Sequence, residues 1–256
     1  MEQFVNPGRF DGRAAVVTGA AGGIGRATAQ RLAAEGARVL CVDLDGDGAT
    51  DTARAVRDDG GTAESTSCDV TDPAAATAAI GTAVDAFGGL DVLCNIAGIG
   101  FAVHTHDETD DGWRRTLDVN LSGTFYMCRA AVPHLLDREG VIVNTASTAG
   151  LMGQAYMAAY CASKHGVVGL TKALAIEYGR KGLRANAVCP GGTDTGILSG
   201  FAPPEDANLK LMMRAMLLDG AHPPEGIAAL FAYVASPEAT YVNGAAIAID
   251  GGTTAG

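Results

Sequence analysis

Positive charge is scarce in this chain. Its 256 residues carry 18 Lys and Arg against 29 Asp and Glu, for a formal net charge of −11. A uniformly acidic surface repels phosphate backbones and anionic headgroups, which points away from nucleic acid and membranes as partners. Long hydrophobic runs are missing too: no apolar stretch approaches the roughly 20 residues a membrane span needs. The opening MEQFVNPGRFDGR lacks the apolar core of a signal peptide. Of the six cysteines (Cys41, Cys68, Cys94, Cys128, Cys161 and Cys189), no two form a C-x-x-C pair, so neither a zinc ribbon nor a thioredoxin-type site is suggested. Most of them sit in apolar runs and read as small buried hydrophobes in a reducing, cytoplasmic setting.

What is present is globular: 48% hydrophobic and 18% charged residues. Short apolar runs at 14–18, 37–43, 62–70, 90–98, 140–147, 183–190 and 245–250 alternate with longer Ala-rich stretches. Four of the runs are nearly continuously apolar, as strands covered on both faces must be. Helices are predicted at 23–35, 47–59, 73–87, 110–136, 157–180 and 224–235. Thr71-Asp72-Pro73 supplies a capping residue and a first-turn proline for the third, and Pro133 should end or kink the fourth. This alternation predicts an α/β fold, a doubly wound parallel sheet of about seven strands with helices on both faces. One domain, residues 1–256, suits the length. Only 191–223, rich in Gly and Pro with a Met- and Leu-rich helical insert, breaks the rhythm, and it is read as a substrate cover.

Residues 14–43 form a complete strand–helix–strand unit. Gly19, Gly22, Gly23, Ile24 and Gly25 fall in the turn between its first strand and its helix. Glycines there let the chain turn tightly, let backbone amides approach a pyrophosphate, and let the helix pack close to the sheet. The helix N-terminus then faces the phosphates. Asp43 ends the second strand. A carboxylate there accepts hydrogen bonds from an adenosine ribose and repels a 2′-phosphate, while neighbouring Gly22 and Leu44 offer no positive charge. The reading is a Rossmann-type site for NAD (NAD⁺/NADH) rather than NADP.

Three motifs now carry a resemblance. TGAAGGIG (18–25) matches T-G-x-x-x-G-x-G, CNIAG (94–98) resembles N-x-A-G, and YCASK (160–164) resembles Y-x-x-x-K. Together they make the chain similar to the classical short-chain dehydrogenases/reductases. Gly22 also permits the G-x-x-G-x-x-G spacing of that family's extended branch, but the chain is too short for that branch's added C-terminal domain. The terminal IDGG (249–252) also resembles the classical branch. The resemblance implies a cofactor site of Gly19, Gly22, Gly23, Ile24, Gly25, Asp43, Leu44, Asp69, Val70, Asn95, Ala97, Gly98, Pro190, Gly191, Thr193 and Thr195, together with Tyr160 and Lys164. Asp69 would meet the adenine amino group, Val70 the ring, and Thr193 and Thr195 the nicotinamide side. It implies a catalytic set of Asn120, Ser147, Tyr160 and Lys164, and a homotetramer built partly through the long helices.

The chemistry implied is oxidoreduction between a secondary alcohol and a ketone. Lys164, one helical turn beyond Tyr160, and the positive nicotinamide ring of NAD⁺ should favour the phenolate, so that Tyr160 exchanges a proton with substrate. Ser147, 13 residues before Tyr160, would hold the substrate oxygen, and Asn120 would hold a water linking Lys164 to solvent. YMAAYCASK (156–164) holds a second tyrosine. Tyr156 is eight residues from Lys164, about 12 Å along a helix, so it is expected to line the substrate pocket instead. Leu151 is expected there too, with Ile99, Phe101, Val103, Met152, Ile197, Leu198, Phe201, Leu209, Met212, Met213 and Met216. No Lys or Arg lies in 98–106 or 147–157, although Lys210 and Arg214 lie on the cover, which favours an uncharged, alicyclic or steroid-like substrate. His104-x-His106 reads as a loop at the pocket mouth, with no third metal ligand placed by sequence. Two other readings stay open: a 3-oxoacyl-carrier-protein reductase, against which the acidic surface and Asp43 weigh, and a catalytically silent NAD-binding regulatory protein.

Overall fold

A computed structural model describes residues 5–212 and 220–255. Seven parallel strands form one sheet in the order β3-β2-β1-β4-β5-β6-β7. They are β1 (Ala14–Thr18), β2 (Arg38–Asp43), β3 (Thr62–Ser67), β4 (Val92–Asn95), β5 (Val141–Thr145), β6 (Arg184–Pro190) and β7 (Ala246–Ile249). The helices are α1 (Gly23–Ala34), α2 (Gly46–Asp58), α3 (Pro73–Phe87), α4 (Asp110–Leu117), α5 (Thr124–Leu136), α6 (Ala158–Tyr178), the single turn α7 (Leu209–Met212) and α8 (Pro224–Ala235). None of the helices among the described residues is long and apolar enough to cross a membrane.

The continuous apolar runs form strands because the sheet is covered twice. Successive strand residues point to opposite faces. Ala15, Val17, Val39 and Cys41 join one core layer with Phe231 and Ile227 of α8. Their neighbours Ala14, Val16, Leu40 and Val42 join the other, with Ile80 of α3 and Met127 of α5. β1 pairs with β2 on one side and β4 on the other. The winding therefore reverses at β1, and such a reversal opens a crevice beyond the strands' carboxyl ends.

The expected helix start at Thr71-Asp72-Pro73 forms: the Asp72 carboxylate accepts from the Ala74 amide at 2.8 Å, and Pro73 opens the first turn. The expected single helix over 110–136 does not. It is divided by a π-helical segment, Asp118–Gly123. Pro133 neither ends it nor marks the break, since α5 runs on to Leu136. The interruption belongs to Asn120, whose carbonyl accepts from the Thr124 hydroxyl at 2.8 Å while its side chain bonds outside the helix. The strands at 62–70 and 90–98 are also shorter than expected, because their last residues turn away from the ladder to line the crevice.

Candidate active site

The crevice is a cleft of about 650 Å³. Its floor is the glycine turn. Gly19 has φ +70°, and a Cβ there would stand 2.8 Å from the Ala97 amide nitrogen. A Cβ on Gly25 would stand 1.9 Å from the Gly19 carbonyl oxygen, so only glycine lets the first turn of α1 close on the end of β1. Gly22 meets nothing within 4 Å of its Cβ position, which leaves the N-terminus of α1 open to the cleft. Asp43 stands at the rim with its carboxylate held by the amides of Ala21 (2.9 Å) and Asp45 (3.0 Å). Asp69 is fixed in the same manner, accepting from the Thr71 amide and hydroxyl at 2.9 and 2.7 Å.

Gly19, Gly22, Gly23, Ile24, Gly25, Asp43, Leu44, Asp69, Val70, Ala97, Gly98, Pro190, Gly191, Thr193 and Thr195 all line this one cleft, with Ser147, Tyr160 and Lys164. Asn95 does not. As the last residue of β4 it points into the core between sheet and helices, donating to Asn144 Oδ1 at 2.9 Å and Cys128 Sγ at 3.3 Å. Strand alternation gives the cleft position to its neighbour Ile96 instead. Asn120 is fully buried behind the cleft. Its amide donates to the Ile99 carbonyl (2.8 Å) and Ser163 Oγ (3.0 Å), and its Oδ1 accepts from the Ile99 amide (2.9 Å). Oδ1 keeps a second lone pair, and a Cβ on Gly98 would stand 3.1 Å from Oδ1 and 3.5 Å from Lys164 Nζ, so glycine leaves the space between them open.

Tyr160 and Lys164 stand one turn apart near the start of α6, both buried. Lys164 Nζ donates to the Thr145 carbonyl at 2.9 Å and lies 5.6 Å from the centroid of the Tyr160 ring. Ser147 hydrogen-bonds the Tyr160 hydroxyl and accepts from the Ala149 amide at 3.1 Å. The expectation of a readily ionised phenol needs correction. Burial pushes Tyr160 up to about 12, with the Ser147 hydrogen bond opposing, and burial also lowers Lys164 to about 8. A buried ammonium at this distance does not offset the desolvation of a buried phenolate.

The second tyrosine departs further. α6 begins at Ala158, so Tyr156 precedes the helix and does not share its face with Tyr160. Its backbone is left-handed, φ +66°. Neither Tyr156 nor Leu151 lines the cleft; Leu151 is 37% exposed. Phe101, Val103, Met152 and Leu209 are absent from the lining as well, whereas Ile99, Ile197, Leu198, Phe201 and Met212 are in it. Met213, Arg214 and Met216 fall outside the described residues. His104 and His106 pack ring to ring at 5.3 Å, and His104 Nε2 lies 2.6 Å from Asp206. Sequence reasoning missed Arg115, Val119, Gln154 and Met157 in the lining. The four-residue spacing of Arg115 and Val119, just before Asn120, puts them on one helical face and was the available signal. Gln154, between Ser147 and Tyr160, donates to Thr148 Oγ1 at 2.9 Å.

A switch-point crevice with a glycine turn, a rim carboxylate and a buried tyrosine–lysine pair defines an oxidoreductase that uses a nicotinamide dinucleotide. The family model described as enoyl-(acyl carrier protein) reductase matches residues 19–254. A meso-2,3-butanediol dehydrogenase of Serratia marcescens is 39% identical over 96% of both chains. A 3β-hydroxysteroid dehydrogenase of Eggerthella lenta is 40% identical over 95% of this chain and 94% of its own. Among solved structures, a short-chain dehydrogenase from Mycobacterium paratuberculosis bound to NAD has a TM-score of 0.90 at 32% identity, covering 97% of this chain and 100% of its own. One from Burkholderia cenocepacia in complex with NADP has a TM-score of 0.87 at 35% identity, covering 96% and 99%. The chain belongs to the classical short-chain dehydrogenase/reductase family.

Proposed function

We propose that this protein is an NAD-dependent dehydrogenase that interconverts an uncharged secondary alcohol and its ketone, with Tyr160 as general acid/base. The observation that carries the reading is the convergence of Ser147, Tyr160 and Lys164 on the cleft that the glycine turn opens into. When bound, the nicotinamide accepts or gives the hydride; the protein handles the proton. Ser147 orients the reacting oxygen through the hydroxyl that also bonds Tyr160. Tyr160 takes the alcohol proton or returns it to the ketone oxygen. Its high resting pKa keeps the phenol protonated, the form that the reduction direction starts from, and the oxidation direction needs added positive charge beside it, which an oxidised nicotinamide ring would bring. Lys164, anchored by the Thr145 carbonyl, would donate to the nicotinamide ribose. The free lone pair of Asn120 Oδ1 accepts from a water that restores the proton through Lys164.

The dinucleotide fits the chain's own groups: the open N-terminus of α1 for the pyrophosphate, and Asp43 for the adenosine ribose. Related structures carry NAD and NADP alike, so the preference for NAD rests on Asp43 and on the exposed, uncharged Leu44 beside it. The cleft-lining residues from 98–106, 147–157 and the described part of 191–223 carry no charge. This supports an apolar substrate of the alicyclic or steroid-like kind rather than a carboxylate. A cytoplasmic homotetramer packed through α5 and α6 belongs to the same reading, supported by the outward-facing Phe125 and Ile176 on those helices. The test is a panel of secondary alcohols followed by nicotinamide absorbance with NAD⁺ and with NADP⁺. Turnover of alicyclic alcohols with NAD⁺ supports the reading; a clear preference for NADP⁺, or silence across the panel, contradicts it.

A further inference from the structure

Tyr156 is held in a conformation that bulky residues rarely adopt, and three separate segments hold it there. Its carbonyl accepts from the Val103 amide at 2.8 Å, which ties it to the 98–106 loop. Its hydroxyl accepts from the Asn208 amide at 2.8 Å, which ties it to the cover. Its ring meets His104 edge-on, with centroids 5.0 Å apart. His104 in turn reaches Asp206 of the cover at 2.6 Å. A left-handed non-glycine residue is strained, and such strain persists only where its surroundings over-determine it.

The same cover presses on the catalytic tyrosine. The Ala102 amide donates to the Gly200 carbonyl at 3.0 Å. A Cβ on Gly200 would stand 2.1 Å from the Gly100 carbonyl oxygen, so the two segments touch through bare backbone. That approach lays Phe201 edge-on against Tyr160, with centroids 5.1 Å apart. Two polar ties, Tyr156–Asn208 and His104–Asp206, therefore fasten the segment that carries Phe201, Leu198 and Met212 into the cleft.

We propose that Tyr156 is a positioning residue: with His104 it clasps the 196–212 segment over the substrate end of the cleft, and so sets substrate affinity without touching the reacting atoms. The proposal rests on the alcohol–ketone reading for its kinetic consequences, while the clasp itself is a property of the fold. Loosening the clasp makes substrate binding supply the closing free energy, which raises KM in proportion to the open fraction and leaves the chemistry of the closed complex alone.

The test pairs steady-state kinetics with limited proteolysis of the 196–212 segment in Tyr156→Phe, His104→Ala and the double variant. Tyr156→Phe removes one hydrogen-bond acceptor. It should raise substrate KM about three- to tenfold, with kcat within about twofold. NADH affinity and thermal midpoint should stay at wild-type values, and cutting in 196–212 should speed up. His104→Gln, which keeps a donor for Asp206, should fall between wild type and His104→Ala. Unchanged KM and unchanged cutting in the double variant overturn the proposal. A collapse of kcat at constant KM also overturns it, since Tyr156 would then act in the chemistry. If wild type turns over no alcohol, the functional reading fails, and the proteolysis still decides the clasp.

Discussion

At Gly25 an added Cβ would stand 1.9 Å from a backbone oxygen of the neighbouring turn. At Tyr156 the backbone takes a glycine-like angle while keeping a full phenol. These residues mark two ends of one cleft, fixed by different physics. The dinucleotide end is fixed by close approach of backbone, within the strand–helix–strand unit 14–43 at Gly25 and against Ala97 after β4 at Gly19. The substrate end is fixed by side-chain ties added to a few backbone contacts among segments 98–106, 151–157 and 196–212, which are far apart in sequence. The first arrangement tolerates no added atom at Gly19 or Gly25. The second can lose an atom and open.

Breaking the dinucleotide end should have the larger effect. Gly25→Ala forces α1 away from β1 and is expected to cost about 3 kcal/mol or more of stability, as overpacking against backbone does. Thermal unfolding and NADH titration check it; a variant that folds and binds normally would show that the turn is looser than described. Asp43→Asn removes the charge and keeps an acceptor for one of the Ala21 and Asp45 amides, which bond different carboxylate oxygens. The ratio of kcat/KM for NADP⁺ over NAD⁺ should rise by about tenfold. An unmoved ratio would detach Asp43 from cofactor choice.

Lys164 sharpens the comparison through pH. Burial holds its ammonium at about 8, below the ordinary 10.5. Below pH 8 the folded, cofactor-free protein carries the full cost of a buried charge. Between 8 and 10.5 the unfolded chain still binds the proton and the folded chain does not, so this contribution to stability improves as pH rises. Lys164→Met removes the penalty. It should stabilise the free protein on the order of 3 kcal/mol near pH 7, an advantage that shrinks toward pH 10. Melting curves at the two pH values check this; an advantage that grows with pH has the wrong sign. The smallest effect belongs to Leu151→Ala, which lies outside the cleft. Substrate KM should move by less than about twofold and stability by about 1 kcal/mol at most. A larger rise in KM would return Leu151 to the pocket.

The same contrast explains what the sequence could tell. The parallel sheet, the glycine turn and Asp43 are legible because strand ends place them, and Tyr160 and Lys164 share a helical spacing, whereas Ser147 was legible through the family resemblance. Asn95 was misplaced because a one-residue shift along a strand reverses its side chain, and the turn that follows β4 hides which residue faces the cleft. Asn120 was legible through the resemblance alone, as the residue to hold a water, and the π-helical segment around it depends on bonds to Ile99 and Ser163, 21 and 43 residues away. Tyr156 read as helical because its spacing to Tyr160 is helical. What stops the helix is its ties to Val103 and Asn208, which local pattern does not encode. The pKa of Tyr160 went wrong for a related reason: a nearby lysine is visible in sequence, and the depth of burial is not.

The central claim, that Tyr160 moves the proton while the rest of the cleft binds, is tested most directly by Tyr160→Phe measured two ways on one preparation. NADH titration by fluorescence should give an affinity within about threefold of wild type, because Gly19, Asp43 and Lys164 remain. Alcohol-dependent formation of NADH from NAD⁺ should fall about a thousandfold, the scale of losing a positioned general base. Turnover within about tenfold of wild type, with NADH still bound, would contradict the account and move the proton transfer to another group.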